Sequence, residues 1–157
     1  MKKYNNIKLL LSLFFTVGLG LLSGLFTVPE IGTWYVKLNK PSFNPPNYLF
    51  GPVWLLLYTF MGISFYLIWI KPASQVRTAG VLFFLFQFVL NIFWSFIFFK
   101  LHNLGWAFAE IILMWLFILF TINEFRKLSS TAAWLLVPYI LWVGFAAVLN
   151  FSIWRLN

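Results

Sequence analysis

The chain has 157 residues, of which 62% are hydrophobic, 23% aromatic and only 9% charged, with a formal net charge of +8. A soluble domain carries about a quarter of its residues as charge, so a surface this apolar must face lipid. No Cys is present, which excludes disulfides, thiol nucleophiles and thiolate metal sites; one His and three acids are too few for most metal centres, and none is expected. The eleven basic residues stand singly or in pairs between apolar stretches, a pattern of membrane topology that argues against nucleic acid as a partner.

A bilayer core about 30 Å thick requires roughly 20 apolar residues at 1.5 Å each. Five stretches qualify, and they predict an all-α integral membrane bundle of five transmembrane helices in a single domain, 1–157. The helices are expected at about 7–28, 51–70, 78–99, 104–123 and 130–154. Lys2, Lys3 and Lys8 precede the first helix, yet its apolar run is longer than a signal-peptide core and lacks Ala-x-Ala, so it is read as retained. Gly20 and Gly24 form a GxxxG step on it, suited to close helix approach within a subunit or between subunits.

The loop 29–50 holds Pro29, Pro41, Pro45 and Pro46, interleaved with Trp34, Tyr35, Phe43 and Tyr48. Proline lowers the entropy cost of ordering and the aromatics offer surface to bury. Such a loop is expected to fold as a lid across the bundle; the alternative is an interfacial linker with belt aromatics.

Counted from the lid side at about 1.5 Å per residue, Trp54, Tyr58, Asn91, Glu110, Ala146 and Asn150 all lie roughly 5 to 12 Å deep, and Trp142 about 18 Å. The polar intramembrane groups therefore gather beneath the loop, which predicts a roofed pocket in that half of the bilayer. Gln87, Asn91 and Ser95 share one stripe of the third helix, and Trp142, Ala146 and Asn150 one stripe of the fifth. Interhelical hydrogen bonding explains such Asn, Gln and Ser residues equally well. Pro138 is expected to kink the fifth helix four residues before Trp142. Glu110 has no second intramembrane acid to relay protons to, and His102 is expected in an exposed connection rather than as a haem ligand. Of the nine tryptophans, Trp69, Trp106, Trp134 and Trp154 sit near span ends as belt residues. Trp54 and Trp142 could sandwich a flat apolar ligand. The side bearing the N-terminus has seven basic residues against four, which predicts a cytoplasmic N-terminus; with no organelle-targeting peptide indicated, a bacterial cytoplasmic membrane is the expected location.

The run Trp34-Tyr35-Val36-Lys37-Leu38-Asn39-Lys40-Pro41-Ser42-Phe43-Asn44-Pro45-Pro46, continuing through Phe50-Gly51-Pro52-Val53-Trp54 to Tyr58, resembles the first-loop signature of the TspO/MBR family (tryptophan-rich sensory protein, translocator protein, peripheral benzodiazepine receptor). Asn91-Ile92-Phe93-Trp94-Ser95 followed by Phe98-Phe99, Trp106-Ala107 with Glu110, and Pro138-Tyr139 through Trp142 and Ala146 to Asn150 resemble its later helices, in order. The resemblance implies a five-helix membrane protein, a homodimer, that binds tetrapyrroles such as protoporphyrin IX and benzodiazepine-site ligands of the isoquinoline carboxamide type. It implies a ligand pocket of Tyr35, Trp54, Asn91, Trp142 and Ala146, with Trp54 and Trp142 tied to light- and oxygen-dependent porphyrin degradation. No cofactor is then required; porphyrin is ligand or substrate. Where animal members carry a central Tyr in a sterol-recognition pattern this chain has Phe151, which weakens sterol as a partner. No acid–base or nucleophile set is visible, so any turnover must use the reactivity of the bound chromophore. The competing expectations are a porphyrin or sterol transporter and a stress-sensing receptor without turnover.

Overall fold

The computed structural model describes residues 6–157; Lys2 and Lys3, counted above for orientation, lie outside the described residues. Six α-helices form five apolar spans: α1 (Asn6–Ile31), α2 (Phe50–Trp69), α3 (Gln75–Ser95), α4 (Leu104–Leu128), and α5 (Ser130–Leu135) with α6 (Val137–Leu156). The chain is an all-α, multi-pass integral membrane protein. Its spans pack in a ring, α1 against α2, α2 against α5, α6 against α4, α4 against α3, and α3 back against α1. Short connections are sealed by side chains: Ser74, Asn103 and Ser129 each accept a backbone N–H at the start of the helix they precede.

Several boundaries differ from the sequence expectation for local reasons. Helix α1 continues through Pro29 to Ile31, because a proline missing its N–H is tolerated near a helix end whose later turns are held otherwise. The Thr33 hydroxyl bonds the Pro29 carbonyl at 2.9 Å, and the Trp34 N–H bonds that of Glu30 at 3.1 Å. The third span widens into a π turn at Phe96–Lys100, closed by the Leu101 N–H on the Phe96 carbonyl; such turns occur in short insertions of this kind. The fifth span breaks outright at Leu136, which places Pro138 in the first turn of α6, where its missing donor costs nothing.

That break divides the bundle in depth. On the side away from the lid, α5 lies close against α2: Ala132 and Ala133 are buried, and the Ser64 hydroxyl bonds the Ala132 carbonyl at 2.7 Å. A dense aromatic core fills this half, with Phe65 on Phe84 at 4.9 Å and Phe84 stacked on Phe88 and on Phe125. Helices α1 and α2 meet through small residues. The Ser12 hydroxyl bonds the Gly62 carbonyl at 2.6 Å, and a Cβ at Gly20 would lie 2.5 Å from the Tyr58 ring. Gly20 of the GxxxG step thus serves packing inside the subunit, whereas a Cβ at Gly24 would meet nothing within 4 Å. Because Tyr58 is buried and hydrogen-bonded, it cannot step aside. Gly20→Ala is therefore expected to lower stability by about 1–3 kcal/mol, and Gly24→Ala to leave it unchanged or slightly raised; thermal unfolding in one detergent checks both.

Candidate functional site

Above this core, on the side of the segment 32–49, the helices part around a cavity of about 540 Å³, within the roughly 300–1,000 Å³ of small-molecule sites. Tyr35 and Phe50 line its roof, Trp54 and Tyr58 its α2 wall, and Trp142 and Ala146 its α6 wall. Its surface is chiefly apolar. Tyr35, Trp54, Trp142 and Ala146, four of the five residues singled out in the sequence, are thus brought together.

Asn91, the fifth, is not among the lining residues. It lies behind Tyr58 and is 3% exposed. Its side chain is consumed by neighbours: the Tyr58 hydroxyl donates to Asn91 Oδ1 at 2.7 Å, and Asn91 Nδ2 donates to the Tyr139 hydroxyl at 3.2 Å. Tyr139 in turn donates to Gln87 Oε1 at 2.7 Å. This file of bonds crosses from α2 through α3 to α6 and closes the cavity floor. Ser95 stays in the wall beside Trp94, whose indole donates to Asn150 at 3.1 Å; Asn150 Nδ2 bonds the Leu104 carbonyl.

The aromatic walls are braced. Trp54 stacks on Tyr58 with centroids 5.4 Å apart and meets Tyr139 edge-on. Trp142 lies against Phe50 and Phe145, and its indole N–H, buried, has no hydrogen-bond partner among the described residues. A ligand carbonyl or carboxylate beside Trp142 would find a ready donor. Ala146, one turn along, leaves the space that a larger side chain would fill.

The first helix contributes more than sequence reasoning assigned to it. Ser23, Gly24 and Thr27 of α1 line the cavity; they lie within about one helical turn, and of the three only Gly24 carried a sequence signal, as part of the GxxxG packing step. The π turn adds Phe98 and Phe99, the pair that follows the Asn91–Ser95 motif in the sequence, although nothing in the sequence marks the π turn itself. Leu21, Leu25 and Val28 on α1 and Leu55 on α2 belong to the same wall yet are 60%, 68%, 70% and 47% exposed. Between α1 and α2, above the Gly20–Tyr58 contact, the cavity therefore opens sideways toward lipid.

The lid is folded. Tyr35 is buried against Phe98 and Phe99, and its hydroxyl donates to Asn44 Oδ1 at 2.9 Å. Burial pushes its phenol up to about 12, so it stays a protonated donor across physiological pH. His102 lies outside the cavity lining, with a left-handed φ of 53°. Its ring stacks on Trp34 at 4.0 Å and its Nε2 contacts Glu30 at 3.2 Å. Glu110 does not line the cavity either, and neither of its buried oxygens has a hydrogen-bond partner among the described residues.

A five-span helical membrane bundle enclosing a lidded aromatic cavity is the class these features define. Sequence comparison makes it specific: the TspO/MBR family model matches residues 12–155, and the chain belongs to that family. It is 39% identical over 158 aligned positions to the tryptophan-rich protein TspO of Chlorobaculum tepidum, covering 96% of this chain and 98% of the relative. It is 38% identical to the tryptophan-rich protein TspO of Archaeoglobus fulgidus, covering 98% and 99%. It is likewise 38% identical to the translocator protein of Homo sapiens, over 79% of this chain and 75% of the relative.

Removing Asn91 deprives both tyrosine hydroxyls of a partner. Interhelical hydrogen bonds in membranes are worth about 0.6 and at most about 1.7 kcal/mol each. Asn91→Leu is expected to lower stability by about 1–3 kcal/mol, measured by thermal unfolding, and to affect ligand affinity only through the tilt of Tyr58.

Proposed function

We propose that this protein binds protoporphyrin IX and related flat tetrapyrroles in the cavity under its lid, and promotes their light- and oxygen-dependent degradation. Benzodiazepine-site ligands of the isoquinoline carboxamide type are proposed to occupy the same space. The observation that carries this reading is the cavity itself: about 540 Å³, mostly apolar, with Trp54 and Trp142 in its walls. Indole faces suit an extended aromatic ring system, and the unpartnered Trp142 N–H suits an acceptor at its edge.

The chemistry assigned to Trp54 and Trp142 follows from what the lining lacks. Among the described residues that line the cavity there is no acid, Lys, Arg, His or Cys, so its Ser and Thr hydroxyls have no base beside them to make a nucleophile. Absorption of light by the bound porphyrin would supply the reactivity. The chain's own part would be to hold the ring, limit water, and place two oxidisable indoles beside it.

Purified protein mixed with protoporphyrin IX is expected to lose porphyrin fluorescence under illumination and not in the dark. Trp54→Phe combined with Trp142→Phe should retain the fold and slow this decay to that of free porphyrin. Unchanged decay in the double variant refutes the role of the indoles while leaving binding intact. Ala146→Phe, which fills the cavity, is expected to weaken porphyrin binding about tenfold or more, read by quenching of tryptophan fluorescence.

One observation favours a second reading, movement of an apolar ligand between the cavity and the bilayer. The lateral opening between α1 and α2 is walled by exposed Leu21, Leu25 and Leu55, which would let such a ligand pass without crossing water. Light-independent transfer of porphyrin between protein-bearing and acceptor vesicles, with no loss of porphyrin, would support that reading over degradation. The membrane proposed is a bacterial cytoplasmic membrane, with the N-terminus on the cytoplasmic side.

A further inference from the structure

The lid is held unevenly along its length. Its first half is part of the bundle. Tyr35 is 4% exposed within a cluster that includes Phe98, Phe99, Leu149 and Ile153, and Trp34 packs edge-on against Phe98 and flat on His102. This half ends at a reciprocal clamp with the end of α6. The Asn39 N–H donates to Asn157 Oδ1 at 3.0 Å, Asn157 Nδ2 donates to the Asn39 carbonyl at 3.0 Å, and Asn39 Nδ2 reaches the Leu156 carbonyl at 3.3 Å.

The second half, residues 41–49, is attached far more lightly. Not one of its residues is buried, and Phe43, Tyr48 and Leu49 are 47%, 75% and 39% exposed. Its side chains reach the fixed half through the Tyr35–Asn44 hydrogen bond and reach α6 through an edge contact of Phe43 on Phe145 at 6.4 Å, while Asn47–Leu49 wind as a 3-10 turn straight into α2 and anchor the C-terminal end. A turn with the Asn44 N–H on the Pro41 carbonyl, and Asn44 Nδ2 on the Pro45 carbonyl, fixes the strap's own shape. Three prolines make it a stiff piece, so it would move as a unit about its two ends.

We propose that the lid is two devices: a fixed wall, residues 32–39, and a movable strap, residues 41–49, with the Tyr35–Asn44 hydrogen bond as the catch between them. Releasing the catch lets the strap, whose Asn47 lines the cavity, swing outward and opens the site to water beside Tyr35, while the wall stays in place. Local opening of this kind draws on the segment with fewest buried contacts, as the least stable part of a fold does. The inference rests on reading the cavity as the ligand site, but the opening itself is measurable without any ligand.

The chain has no Cys, so a single reporter thiol is unambiguous. Ala146→Cys places it on the cavity wall. Its reaction with a charged, membrane-impermeant maleimide, in protein held in lipid nanodiscs, reports how often the roof is open. Adding Asn44→Ala, or Tyr35→Phe from the other side of the same bond, is expected to speed labelling by about three- to tenfold, the effect of one lost hydrogen bond. Adding Asn157→Ala instead is expected to leave the rate unchanged, because buried aromatics still hold the wall. Labelling unaffected by both catch variants, or accelerated as much by Asn157→Ala as by Asn44→Ala, would overturn the division into wall and strap. Porphyrin titration of the parent protein, run alongside, separates a failure of this device from a failure of the ligand assignment.

Discussion

A single file of hydrogen bonds at mid-bundle, Tyr58 to Asn91 to Tyr139 to Gln87, is the constraint on which the rest of the structure depends. In hydrocarbon a polar side chain must find a partner inside the protein. These four satisfy most of that demand by tying α2, α3 and α6 at one level. The level matters because the helices behave differently on its two sides. Away from the lid, phenylalanines and small residues allow close packing. Toward the lid, large indoles stand between α2 and α6, and the bundle remains open around a cavity.

Each neighbouring feature is a consequence of keeping that floor in place. Gly20 lets α1 lie directly on the Tyr58 ring, which holds the phenol in line with Asn91. The break at Leu136, with Pro138 in the first turn of α6, lets α5 approach α2 below while Tyr139 turns inward to complete the file. Trp54 rests on Tyr58 and Tyr139, so the floor also fixes one wall of the site. The site is rigid where it touches the network and lightly held at its strap and at the gap between α1 and α2.

Much of this was legible in the residues. Apolar run lengths specify five spans, because the bilayer thickness leaves little freedom. The depth of Trp54, Trp142 and Ala146 located the cavity, because helical rise converts sequence distance into depth. Two things were hidden. Whether a buried Asn faces a cavity or a tyrosine depends on helix rotation, which polarity alone does not specify; Asn91 turned toward Tyr58 and Tyr139. The contribution of α1 was also obscure, because Ser23, Gly24 and Thr27 look the same whether they admit another helix or a ligand. The π turn that brings Phe98 and Phe99 to the roof has no compositional mark at all.

One cavity, walled by Trp54 and Trp142 and roofed by the lid, is proposed to take both tetrapyrroles and isoquinoline carboxamides. Equilibrium displacement tests it most directly: protein in nanodiscs saturated with protoporphyrin IX in the dark, then titrated with an isoquinoline carboxamide. Full competitive release of porphyrin, with its apparent affinity falling in proportion to added competitor, is the result expected of a shared cavity. Simultaneous binding of both ligands, with porphyrin retained at saturating competitor, would contradict it.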